Sequence, residues 1–373
     1  MRALSRIFLV TVFLTCAGTL LAQQACRGFS VIANSPEDKT MTAATAASTP
    51  QAQLTALDSY AQAHSTSSFM PCIDEYYAMA YLKLGQYDKV VEYGQKALAS
   101  HDNNLALLVS LAKGYVGAGQ PSADAFAVIM KTPPEILVES KGNEALPGKD
   151  ITAYMEYAFY SLLARVTNAN QRVQYLDEFT KAYPGGNSQG RADFQYFIAY
   201  KMLGNNAKAA PYGEKAVAED PNNIDALNLV AYDDAVGRTN LRKAAEYAQK
   251  VLEMAPQIKK PDSMTSAQFQ SAVNGKLGLA HLTLGYVDFV QSSRTRRIAP
   301  AIDQLKTASS LLEGNPQYQA QALYYLGNAY EYAYPPNHRA AAEALERAAQ
   351  LPTPWKSQAR ELLAKVRAAE RHR

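Results

Sequence analysis

Apolar positions recur along this chain at helical spacing almost from end to end. Residues 193–223, DFQYFIAYKMLGNNAKAAPYGEKAVAEDPNN, write two short helices back to back. Phe194, Phe197, Ile198, Ala199 and Tyr200 follow a helical rather than an alternating period. Gly204, Asn205 and Asn206 break the run, and a second amphipathic stretch passes through Ala209, Ala210, Tyr212, Ala216 and Val217. Pro221 with Asn222 and Asn223 ends it.

This pattern has a twin. Residues 74–104, DEYYAMAYLKLGQYDKVVEYGQKALASHDNN, align with it without a gap at an offset of 119 positions (193 against 74). Tyr77 matches Tyr196, Tyr81 matches Tyr200, Gly85 matches Gly204 and Gly94 matches Gly213. Lys96-Ala97 matches Lys215-Ala216, and the agreement extends upstream to Ala56–Tyr60 and downstream to Leu108, Leu111 and Ala112. The offset predicts an internal duplication, with a first block at 37–131 and its copy inside 151–256.

The rest of the chain follows the same rhythm. Thr49 and Pro50 read as the cap and first turn of a helix over QAQLTALDSYAQAHS. ITAYMEYAFYSLLARV and NQRVQYLDEFTKAYPGG form its counterpart hairpin. Prolines and glycines interrupt 132–150, which is expected to be a loop or insert between the copies. Residues 257–352 continue the hairpins, with a longer helix over 264–290, a polar interruption QSSRTRR and a sharp run ALYYLGNAYEY. Residues 353–373 form a charged amphipathic helix suited to capping an array of stacked hairpins.

The spacing of small residue, tyrosine, turn glycine, two alanines and closing proline resembles the tetratricopeptide repeat (TPR) family, in its exported bacterial form. The resemblance covers most of 37–352. It implies an all-α fold, a right-handed TPR-like superhelical solenoid of about eight helical hairpins with a C-terminal capping helix. It also implies that the first helix of each hairpin lines a concave groove for an extended or amphipathic protein segment. Counting along those helices, the groove candidates are Met79, Leu82 and Lys83; Arg191, Phe194, Ile198 and Lys201; Asn228 and Tyr232; and Tyr324, Asn328, Glu331 and Tyr332. Some of these rings could instead cover neighbouring helices. The family's carboxylate clamp of Lys and Asn is incomplete here.

Charge changes this picture little. The 37 basic residues against 34 acidic give +3, with no field favouring nucleic acid. The N-terminus adds an address: Arg2 and Arg6 precede an apolar run over residues 7–22 that ends at Ala22 before Gln23-Gln24. That is the layout of a cleavable signal peptide over 1–22, and the run is shorter than the roughly 20 residues a membrane helix needs. Residues 23–36 then read as an extended leader. Periplasmic or secreted localisation follows, with no stable membrane insertion after cleavage. In such a compartment Cys26 and Cys72 are candidates for a disulfide, the alternative being one exposed thiol and one buried small hydrophobe.

No catalytic constellation emerges. His64, His101, His281, His338 and His372 lack metal-ligand spacing. The stretch from Gly142 to Lys149 only superficially follows a phosphate loop, because five residues separate Gly142 from Gly148 and Asp150 stands where a magnesium-binding hydroxyl belongs. The sequence therefore points to a non-enzymatic scaffold that binds another protein or peptide, without cofactor or metal. The alternatives are a subunit of an envelope or outer-membrane assembly complex, and a polysaccharide-binding or -processing factor.

Overall fold

The computed structural model of the protein describes residues 31–100, 105–132, 148–184, 189–295 and 297–371. The expected signal peptide, Cys26 and most of the expected loop at 132–150 lie outside them. Seventeen α-helices run through the described residues, packed in sequence as hairpins, and the fold is all-α as expected.

The chain divides into two compact units, one ending at Ser188 and one beginning at Gln189. The first holds α1 (Pro36–Thr45), α2 (Pro50–Ala63), α3 (Met70–Lys83), α4 (Tyr87–Leu98), α5 (Leu105–Ala118), α6 (Ala123–Met130), α7 (Gly148–Leu163) and α8 (Ala169–Ala182). The second holds α9 (Gln189–Met202), α10 (Asn206–Glu219), α11 (Ile224–Gly237), α12 (Leu241–Met254), α13 (Ser266–Thr295), α14 (Ala299–Leu311), α15 (Pro316–Tyr332), α16 (His338–Gln350) and α17 (Trp355–Arg371). The division is one of packing, whereas the blocks expected at 37–131 and 151–256 are copies of one pattern. Within the first unit, Phe126 of α6 stacks on Tyr175 of α8 at 3.9 Å and meets Phe159 of α7 edge-on at 5.6 Å. Tyr183 then donates to the carbonyls of Ile129 and Thr132, which closes α8 back onto α6.

Local chemistry explains where the helices start. The Thr49 side chain accepts from Ala52 N at 3.2 Å with Pro50 in the first turn. Asn168, Asn205, Asn223, Asn240, Asn315 and Asn337 each accept from a backbone amide of the helix that follows. Each cap satisfies a donor that the helix cannot, typically stabilising by about 1 kcal/mol. Between α3 and α4, and again between α9 and α10, the chain reverses through Gly85 and Gly204, both at φ +69°, a conformation glycine adopts without steric cost.

The two hairpins correspond in detail. α3 and α9 begin and end 119 residues apart (189 − 70 and 202 − 83), and so do α2 and α8 and α5 and α11. α4 and α10 begin at the same offset (206 − 87). Tyr77, Tyr81 and Tyr93 form a stack with centroids 6.3, 4.6 and 5.4 Å apart, and Tyr196, Tyr200 and Tyr212 repeat it at 6.3, 4.7 and 5.6 Å.

One helix is longer than its sequence pattern suggests. The interruption expected at QSSRTRR begins late, because α13 continues to Thr295. Ser292 is buried there, and its hydroxyl donates to the Phe289 carbonyl at 2.6 Å, so this polar residue needs no partner outside the helix.

Candidate functional site

In the second unit the first helices of the hairpins are α9, α11, α13 and α15, and side chains connect them along one face. Lys201 of α9 pairs with Asp233 of α11 and donates to Asn206 at 2.7 Å. Asn228 of α11 donates to the Lys276 carbonyl of α13 at 2.8 Å, while Lys276 itself pairs with Asp225. Tyr232, one turn beyond Asn228, donates to Gln321 of α15 at 2.6 Å and meets the Tyr318 ring edge-on at 5.2 Å. Tyr286 and Phe289 of α13 lie 4.8 and 6.1 Å from Tyr325, and Trp355 at the head of α17 covers Tyr324 and Tyr325 at 5.3 and 5.6 Å.

This arrangement sorts the sequence candidates by whether anything can still reach them. Phe194 is buried, stacked on Phe197 in a core shared with Leu227, Val230 and Ala280. Asn228 is also closed in, and its Oδ1 is buried without a hydrogen-bond partner. Tyr232 is a strut between α11 and α15, and burial pushes its phenol well above the ordinary tyrosine range. The expectation that Phe194 and Tyr232 are free groove anchors is therefore corrected. Phe194 lies in the same row as Phe197, which faces the core, and Tyr232 is spent on a helix two hairpins away.

The other candidates keep some surface. Ile198 is half-buried against the same core. Arg191 is exposed. Asn328 donates to the Tyr324 carbonyl at 2.9 Å, and Tyr324 is half-buried under Trp355. Glu331 pairs with His338 at 2.9 Å across the α15–α16 turn. Tyr332 is 68% exposed, its ring edge-on to Phe289 at 5.4 Å. Tyr334, two residues on, is fully exposed. In the first unit Met79 and Leu82 are half-buried and Lys83 is exposed.

Sequence reading missed Tyr318, Gln321 and Tyr325. Their spacing of three and four residues on α15 was a legible signal that they share a face. What that face meets is set at long range, because the partners lie on α11 and α13. Burial pushes the Tyr325 phenol up to about 12, with the neighbouring Tyr286 adding to the effect.

Cys72 is buried in the core of the first unit with Ile73, Leu57 and Tyr60, and it is disulfide-bonded. The chain's other cysteines, Cys16 and Cys26, lie outside the described residues. Among the described residues no group of three or more His, Cys, Asp or Glu side chains could hold a metal ion, and no helix is long and apolar enough to cross a membrane.

No protein-family model matches the chain, and no curated protein matches it. Among solved structures it is similar to the crystal structure of the yeast Tom70, at 12% identity and a TM-score of 0.38, over 95% of this chain and 70% of that chain. A likeness that loose carries no argument about role.

Proposed function

We propose that the protein is a non-enzymatic scaffold that holds another protein through the first-helix face of its hairpins. The observation that supports this most is the α15 end of that face, where Tyr324, Asn328 and Tyr332 present two rings and an amide side by side. Tyr332 is the exposed ring, held edge-on by Phe289 rather than buried by it. A ring fixed on a helix and open to solvent is a low-entropy anchor for an apolar segment, because little side-chain freedom remains to be lost on binding.

The protein is further proposed to be exported, with its mature chain beginning near Gln23. Two features support this: the basic and apolar layout of residues 1–22, and the disulfide at Cys72, a bond that persists in oxidising compartments. The resemblance to exported bacterial TPR proteins belongs to the same reading.

Affinity capture with the full chain tests the scaffold. Tyr332→Ala is expected to weaken capture of the bound protein by on the order of 2 kcal/mol while thermal unfolding stays near that of the parent. Capture that survives Tyr332→Ala, Asn328→Ala and Ile198→Ala together would place binding away from this face. N-terminal sequencing tests export, and a mature chain still beginning at Met1 would overturn it.

A further inference from the structure

The helices that carry the paired tyrosine stacks place their charges differently: at the offset of 119, Asp88, Glu92 and Gln95 of α4 become Ala207, Pro211 and Glu214 of α10. In the first unit Lys89 and Lys96 lie 5.9 and 4.5 Å from the centroid of the Tyr93 ring. Glu92 sits between them on α4 and pairs with both, at 2.7 and 3.0 Å. In the second unit Lys208 and Lys215 occupy the equivalent positions of α10, 5.4 Å from the Tyr200 centroid and 5.7 Å from the Tyr212 centroid. The residue equivalent to Glu92 is Pro211 (92 + 119), so the carboxylate that neutralises the lysine pair is missing from α10. Both lysines are exposed, and among the described residues neither makes an ion pair.

The remaining charges around α10 do not replace Glu92. Glu214 is engaged by Lys243 of α12, and Lys201 by Asp233. Asp193 lies near Lys215, but burial raises its carboxyl, and Asp74 stands in the same relation to Lys96 in the first unit. Glu219 lies one turn beyond Lys215 without pairing to it. Two ammonium groups are thus held over ring faces, where the ring quadrupole favours them, with their outward side open.

Lys208 and Lys215 are seven positions apart (215 − 208), so they share a face of α10 at a rise of about 10 Å. A polyproline-II segment advances about 9 Å in three residues and returns to the same side every third residue. We propose that α10 docks an extended acidic segment of a protein partner whose carboxylates recur at every third residue. This surface lies on a second helix and is separate from the first-helix face argued above, so the two readings stand or fall independently.

The test is fluorescence anisotropy of the full chain with a labelled peptide of repeated Glu-Pro-Ala triplets, at about 20 mM salt where exposed charges are weakly screened. Replacing both Lys208 and Lys215 by Ala is expected to weaken binding about fivefold or more, and Pro211→Glu to do the same by restoring the missing carboxylate. Pro211→Glu also puts a good helix former in place of proline, so circular dichroism should show helix content retained. Lys89→Ala with Lys96→Ala is expected to leave binding unchanged, and Glu92→Ala to open a second site in the first unit. The proposal is overturned if the parent chain does not bind the peptide, if Pro211→Glu binds as the parent does, or if a shuffled peptide of the same composition binds equally well.

Discussion

The Tyr232 hydroxyl on α11 donates a 2.6 Å hydrogen bond to Oε1 of Gln321 on α15, across 89 residues of sequence. α11 and α15 belong to hairpins that are not neighbours in the chain, so this bond ties the face of the second unit across α13. Gln321 is almost wholly buried, and its acceptor has no water to turn to when the donor is lost. Tyr232→Phe is expected to cost about 2 kcal/mol, the penalty of a buried amide oxygen left unsatisfied. Urea unfolding measures it through the midpoint, and an unchanged midpoint would mean that the strut contributes nothing.

Phe194 is expected to behave as core. Its ring is stacked on Phe197 at 6.4 Å and packs in the cluster that includes Leu227 and Ala280. Phe194→Ala should destabilise by on the order of 3–5 kcal/mol, through lost transfer energy and the cavity left behind. Differential scanning calorimetry of the variant checks this against Tyr332→Ala, which should move the transition little.

These two residues show which parts of the site can be read from sequence. The positions of the helices follow from local signals: Thr49 and Pro50 start α2, Gly85 and Gly204 turn the paired hairpins, and asparagines cap the helices that follow them. Such signals act within four residues, where spacing alone is informative. Which way a ring points depends on partners at long range. Phe194 and Ile198 sit one turn apart on α9, yet only Phe194 is closed in by α11 and α13. The contact of Tyr232 with Gln321 depends on how far α15 returns toward α11, and no residue near Tyr232 encodes that distance. The same holds for the stack of Phe126 on Tyr175, which joins α6 to α8 across 49 residues of sequence (175 − 126).

Acid is expected to loosen α1. Glu37 on that helix accepts hydrogen bonds from the Ser67 and Tyr60 hydroxyls, and these hold its carboxyl below the ordinary value of 4.5. A depressed folded value means that the stabilisation is present above 4.5 and is lost as the pH falls through the folded value. The alkaline side carries the opposite sign. Burial, with Glu37 adding to it, pushes the Tyr60 phenol up from 10.0 to about 12, so its contribution is present below 10 and fades as the pH rises toward 12. Unfolding midpoints of the parent and Glu37→Gln should differ near neutral pH and converge below pH 4.5. A constant difference across that range would exclude the carboxylate as the titrating group.

The bond at Cys72 is expected to join it to Cys26, because Cys16 falls in the segment expected to be removed on export. A loop of 46 residues (72 − 26) corresponds to about 4 kcal/mol of stabilisation in the chain-entropy model, if the bond is unstrained. Mass spectrometry of a non-reduced digest should recover a Cys26–Cys72 peptide pair. Reduction should lower the unfolding midpoint, and Cys72→Ala should remove that sensitivity.

Gly94 and Gly213 are equivalent positions on α4 and α10, and they are expected to respond unequally to a methyl group. A Cβ at Gly94 would stand 2.5 and 2.8 Å from Cδ2 and Cγ of Leu111, a side chain with no exposed surface and so no room to withdraw. At Gly213 the nearest atoms are the Phe197 ring and a Val230 methyl, both at 2.9 Å. Overpacking of a tight core costs about 1–3 kcal/mol, while replacing glycine by alanine inside a helix stabilises by about 1 kcal/mol. The first effect wins at both positions, and by more at Gly94, where the overlap reaches 2.5 Å on a branch carbon, than at Gly213, where the buried Phe197 ring and Val230 methyl stand at 2.9 Å. Gly94→Ala should therefore destabilise by about 1 kcal/mol or more, and Gly213→Ala should destabilise by less. Equal losses at both positions would mean that the hairpins are packed with the same tightness, and that the closer approach of α4 to α5 does not govern stability.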